Sequence, residues 1–187
     1  RVQSIVGMRV VDLNSGRLSK AAPGFRVLAV DGGAIRFECP ADWILAPPAR
    51  YVCLIDRLPP DDRCSLTVAW RNIPAGRPVP CLTGLLGAIV ATESRPLIQR
   101  GRVIRFFRPP LEAAWIELRF VDPRRHREAL TRICLARACR AQALAVFDFW
   151  PEDEMKLYPV WETFLSSLAL GEYIEDPATG LKREQWG

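Results

Sequence analysis

Residues 132–150 read RICLARACRAQALAVFDFW, and this stretch settles the class of fold. Two β-leaning runs, 131–139 and 143–149, are separated only by Arg140, Ala141 and Gln142. So short a connection cannot cross over between parallel strands, so the runs pair antiparallel. Directly afterwards Leu157, Val160, Trp161, Phe164, Leu165 and Leu168 recur at intervals of 3, 1, 3, 1 and 3, the apolar stripe of one helical face. Glu152, Asp153 and Glu154 stand at the start of that helix, where its dipole favours anions. Pro159 limits how early it becomes regular, and Gly171 stops it.

Moving outward, the same periodicity continues. Ile116, Leu118 and Phe120 alternate with Glu117 and Arg119, and a strand-like run at 103–107 precedes them across the turn Arg108-Pro109-Pro110. Residues 122–127 form a charged loop. Upstream, Leu82, Leu85, Leu86, Ile89 and Val90 carry helical spacing with Pro80 just ahead, weakened by Gly84 and Gly87. Before that helix lie strands at 64–70, 51–55, 35–39 and Phe25–Val30, with Pro59-Pro60-Asp61-Asp62 as a hairpin connection. The first 24 residues hold one short apolar run, 8–11, then turn signals, and read as an extended arm or an added edge strand. Strands joined by short turns, interrupted and closed by helices, make an α+β chain with an antiparallel sheet.

Composition narrows the function classes. A chain of 187 residues, 49% hydrophobic and 25% charged, is one domain with a core large enough to need neither metal nor disulfides. The longest apolar candidate for a membrane span, Leu82–Ala91, is broken by Thr83, Gly84 and Gly87. Sixteen prolines lie between apolar segments rather than in repeats, which excludes collagen and disorder. The six cysteines form no C-x-x-C pair and only His126 exists to complete a zinc site, so they read as reduced structural thiols, a pattern that favours the cytoplasm. The sequence begins with Arg1 and shows no signal peptide, and removal of upstream residues would weaken that compartment assignment.

Charge is segregated. Of the net +5, residues 1–94 carry +3, residues 95–140 carry +8 and residues 141–187 carry −6. The cations are 23 Arg and only 3 Lys, either a functional preference for a rigid donor fork or a coding bias. The basic centre and the acidic end either neutralise each other within the fold or face partners separately.

The segment IRFECPADW, residues 35–43, is a strand running straight into a Pro-x-x-Trp corner. It resembles the opening of the PsbP-like family, which includes the extrinsic photosystem subunit PsbP, the Ran-binding Mog proteins and bacterial DcrB-like proteins. CSLTVAW at 64–70, the hairpin at 132–150 and the helix closing in WETFLSSL at 161–168 match the family's element order. The resemblance spans residues 25–170, leaving arms at 1–24 and 171–187. It implies an α/β/α sandwich with a central antiparallel sheet and two main helices. It also implies a non-catalytic accessory or adaptor subunit docking on a larger, membrane-associated assembly such as a photosynthetic one, or a secretion-system chaperone or adaptor. The family shares no catalytic motif.

The residues themselves point the same way. His126, the one imidazole, sits among arginines with no Gly-x-Ser-x-Gly elbow to serve, and Ser166 and Ser167 lie on the closing helix. Cys134 and Cys139 fall on opposite faces of a regular strand, poorly placed for a shared metal or a redox pair. Asp61-Asp62 and Glu152-Asp153-Glu154 are oxygen donors that turn formation and helix-dipole compensation already explain, and Gly32-Gly33 lacks a phosphate-loop pattern. No catalytic, metal or cofactor site is therefore expected.

The unusual feature is the arginine set Arg100, Arg102, Arg105 and Arg108, followed by Arg124, Arg125 and Arg127, with Phe106 and Phe107 interleaved. It reads as a solvated basic face, as a surface for an acidic protein, or, less favourably, as a site for nucleic acid or anionic lipid. The expected protein-docking residues are Arg100, Arg102, Arg105 and Arg108 with Tyr173 and Trp186 of the tail, residue types that dominate interfaces. The tail either docks on a partner or folds back onto those arginines. Membrane association is expected only peripherally, through partners.

Overall fold

A computed structural model of the chain describes residues 2–5, 8–13, 21–46, 51–74, 76, 78–172, 174–176 and 181–182, with 2–5, 8–9, 174–176 and 181–182 described by backbone alone. The strands are β1 (Val2–Ile5), β2 (Met8–Asp12), β3 (Phe25–Val30), β4 (Ile35–Pro40), β5 (Ile44–Leu45), β6 (Val52–Ile55) and β7 (Cys64–Asn72). Helix α1 (Leu82–Ala91) follows, then β8 (Leu97–Arg100), β9 (Ile104–Arg108), β10 (Leu111–Asp122), β11 (Arg127–Ala138) and β12 (Ala141–Phe149). Helix α2 (Glu154–Ser167) leads to β13 (Ala169–Leu170), β14 (Ile174–Asp176) and β15 (Leu181–Lys182).

The strands form a large sheet in the order β5-β6-β7-β12-β11-β10-β8, with β9 also on β10, and a smaller one in the order β1-β2-β3-β4-β13. A separate ladder joins β14 and β15. All described pairings are antiparallel; short connections require this of consecutive strands, while β12 on β7 and β13 on β4 pair across long stretches of chain.

Alternation along β10, β11 and β12 gives the large sheet two apolar faces. On one face Ala114, Ile116 and Leu118 of β10 meet Ile133 and Leu135 of β11, and the α1 stripe Leu82, Leu86 and Val90 covers them. The other face presents Ala113, Cys134, Ala145 and Phe147 to α2 and the smaller sheet. Trp161 of α2 stacks on Phe147 with centroids 5.8 Å apart and meets Trp115 edge-on at 5.6 Å. Phe164 of the same helix meets Phe37 of β4 edge-on at 5.3 Å. Helix α2 is thus held between the two sheets, and both sides of its stripe are used. The Pro-x-x-Trp corner is present: Trp43 donates its amide to Pro40 O and packs on Phe147 at 6.0 Å.

Three features differ from the sequence reading. The strands make two sheets, not one central sheet, because β3 and β4 close over α2 and β13 pairs back onto β4 after the helix ends. The β11–β12 turn is Cys139-Arg140, not 140–142, so Ala141 and Gln142 join the ladder. Cys139 takes the positive φ of 52° that a two-residue hairpin turn demands, and it lies in the turn rather than on a strand face. Of the arm or added edge strand expected in the first 24 residues, the structure has the strand: the run at 8–11 is β2, which pairs with β3 and carries β1 outside it.

Among the described residues one charged side chain sits in the core layer. Arg132 of β11, 4% exposed, is ion-paired with its cross-strand neighbour Glu117 at 2.8 Å and with Glu154 of α2 at 3.6 Å. Its guanidinium lies 5.0 Å from the Phe149 ring. Pairing and stacking together offset the desolvation that would otherwise exclude a cation there. Among the described residues no helix is long and apolar enough to cross a membrane.

Candidate functional site

The rim of the large sheet is built by two strands in tandem. Residues 97–100 pair with the far half of β10, Leu118 opposite Arg100, and residues 104–108 pair with its near half, from Trp115 opposite Ile104 to Leu111 opposite Arg108. The handover between them depends on Gly101, whose N–H donates to Glu117 O at 2.8 Å. A Cβ on Gly101 would lie 2.9 Å from that carbonyl oxygen, so only glycine lets the chain pass this close to β10.

Arg100, Arg102 and Arg105 all lie exposed on this rim, and among the described residues none has an ion-pair partner. Arg108 is diverted. Its guanidinium donates to Ser166 O and Leu168 O, satisfying carbonyls at the α2 C-terminus where cations are favoured. Tyr173 and Trp186 lie outside the described residues. Sequence reasoning missed the apolar half of the surface: Leu97, Ile98, Val103, Ile104 and Phe107 are all exposed, Phe107 at 71% and Ile98 at 49%. The available signal was Pro96 and Gly101 bracketing Leu-Ile-Gln-Arg, a strand too short and too exposed to show a period.

Among the described residues most other arginines are engaged within the fold, whereas exposed Arg124 bonds only through its backbone amide, to Asp122 Oδ1. Arg127 pairs with Glu152 at 2.6 Å and stacks over Trp150 at 4.1 Å, while Arg125 donates to Pro60 O and pairs with Asp62 at 3.5 Å. Arg63 holds Asp153 at 2.8 Å, Arg95 holds Asp148 at 3.1 Å and Arg36 holds Glu172 at 3.2 Å. These pairs draw Asp148, Glu152, Asp153 and Glu172 of the C-terminal part to positions other than Arg100, Arg102 and Arg105. Arg127 holds the Glu152 carboxyl below the usual range, chiefly through its hydrogen bond.

Two of the clefts among the described residues lie beside these charges. One, about 430 Å³, lies between the Pro59–Pro60 turn and the 122–126 loop and is lined by the paired charges Asp62, Arg95, Arg125 and Asp148. The other, about 470 Å³, separates β9 from the start of α1 and is lined by Cys81, Arg105, Phe107, Glu112 and Arg137. Hydrogen bonding with Thr83, then with the Gly84 amide, holds the exposed Cys81 thiol below its ordinary value. Burial does the opposite to the core thiols, pushing Cys39 up to about 11 and Cys64 and Cys134 up to about 12, so they stay protonated. His126 is an exposed turn residue with φ 51°, its amide donating to Asp122 O.

The Alr1449 family model matches residues 26–174. The chain belongs to the Alr1449 family. Its relative from Nostoc sp. (strain PCC 7120), the uncharacterized protein alr1449, is 34% identical over 173 residues, covering 91% of this chain and 90% of that protein. The solution structure of cyanobacterial PsbP (CyanoP) from Synechocystis sp. PCC 6803 superposes with a TM-score of 0.57 at 14% identity, over 83% of this chain and 96% of that one. This member of the Alr1449 family therefore has a PsbP-like fold.

Proposed function

We propose that this protein is a non-catalytic accessory subunit that docks on a larger protein assembly through the β8–β9 rim. The observation that carries the reading is the coincidence on one rim of five exposed large apolar side chains and three exposed arginines that have no ion-pair partner among the described residues. Arginine and aromatic anchors within an apolar patch are what protein interfaces use, whereas a merely solvated basic face has no need of exposed Phe107 and Ile98. Shared fold with cyanobacterial PsbP supports an accessory role, with a membrane-associated assembly such as a photosynthetic one as its setting.

Affinity purification of the tagged full chain from its native cell, with mass spectrometry, tests the reading. Stoichiometric partners should accompany the wild type and be lost from the Arg100→Glu/Arg105→Glu and Phe107→Ser variants, while the variants' melting temperatures stay near wild type. Unchanged partners in both variants would refute docking through this rim. Nucleic acid in place of protein, released steeply as salt rises, would replace the reading with the nucleic-acid one.

A further inference from the structure

Among the described residues the rim leaves backbone as well as side chains unpartnered. Strands β8 and β9 bond to β10 on one side only. In an antiparallel ladder the alternate N–H and C=O groups of each then point outward, and among the described residues no further strand meets them. The opposite edge of the same sheet is blunted to the two residues of β5, Ile44–Leu45. The β8–β9 edge has four and five residues and, among the described residues, no covering element.

Resting on the docking reading above, we propose that the partner supplies an extended acidic segment that adds to this edge as a further antiparallel or parallel strand, its carboxylates paired with Arg100 and Arg105. The register places those two charges on one face, opposite β10 residues four positions apart. Arg100 is opposite Leu118 and Arg105 opposite Ala114, and both partners belong to the apolar layer under α1. Arg100 and Arg105 therefore stand on the α1 face of the rim with Phe107, and of these Arg105 and Phe107 line the cleft of about 470 Å³. An added strand with acidic residues at alternate positions presents them all to that face, where directly opposed unlike charges stabilise strand pairing. Main-chain bonds would supply affinity and the alternate side chains specificity.

Charge selects this occupant over a second copy of the chain, because edge-to-edge pairing of two copies would set arginine rims against each other. The outward N–H and C=O groups select it over an anionic lipid surface, which offers no complementary ladder of donors and acceptors.

The full chain is titrated with acetyl-Glu-Val-Glu-Val-Glu-Val-Glu-amide, its Lys-Val counterpart and phosphatidylglycerol vesicles, read by anisotropy and amide hydrogen exchange. The acidic peptide should bind and slow alternate amides in 97–100 and 104–108 by ~10-fold or more. Arg100→Glu/Arg105→Glu should weaken acidic-peptide binding by ~10-fold or more and transfer preference to the lysine peptide. Absence of edge protection by the acidic peptide overturns strand addition. If the same variant still loses its native partners, docking through the rim stands without a strand; if it keeps them, both readings fall. Vesicle binding that protects the same amides, with no response to the peptide, overturns the proposal in favour of a membrane.

Discussion

Replacing Trp161 with alanine tests whether α2 closes the core. The indole is 1% exposed and touches three other rings: stacked on Phe147 at 5.8 Å and Phe164 at 5.5 Å, and edge-on to Trp115 at 5.6 Å. Truncating a buried tryptophan costs ~3–5 kcal/mol in lost transfer energy and cavity formation. Three aromatic pairs vanish at once, each worth ~0.5–1.5 kcal/mol beyond area. The two sets of figures overlap, so the upper end of the first, ~5 kcal/mol, is the expected loss. Against a typical total of ~5–15 kcal/mol that is a third or more of the stability. It corresponds to a fall in melting temperature of ~10–20 °C for a chain of this size. Trp161→Phe keeps a ring in each contact and orphans no partner, since the indole N–H has none among the described residues, and should cost only ~1–2 kcal/mol. Urea unfolding followed by far-UV circular dichroism gives both midpoints at constant slope. An alanine variant with the wild-type midpoint, or a phenylalanine variant as unstable as the alanine one, would refute a closely packed aromatic core around α2.

Gly101→Ala should destabilise the rim selectively. The new Cβ meets Glu117 O at 2.9 Å, a backbone atom that cannot swing away, so a cost of ~1–3 kcal/mol is expected; hydrogen exchange should quicken in 97–108 while β11 and α2 stay protected. Asp56 governs a pH effect at the β6–β7 connection. Burial alone would raise its pKa, but the amides of Arg63 and Cys64 and the Arg57 side chain donate to its carboxylate and outweigh that, holding it below the ordinary value. A depressed carboxyl stabilises the fold above its unfolded value and loses that contribution as pH falls through the folded one. Asp56→Asn should therefore be ~1 kcal/mol less stable than wild type at pH 7. In denaturation across pH, the gap should begin to narrow below ~pH 4 and then close.

Much of this architecture is legible in local pattern. The alternation at 115–121, the near-continuous apolar runs at 131–139 and 143–149 and the stripe from Leu157 to Leu168 each match their element, because period two and period 3.6 are properties of the chain's own geometry. Charge segregation likewise marks out the basic centre. Local pattern carries no information about which strand lies beside which, and the division into two sheets came from β3 and β4 packing over α2. The same limit applies to the arginines. Arg100, Arg105, Arg108 and Arg127 look alike as residues; where their neighbours in space fall decides that Arg108 holds the end of α2, Arg127 takes Glu152, and Arg100 and Arg105 face outward together. Those partners lie tens of residues away along the chain, and only the packed sheet brings them within range or withholds them.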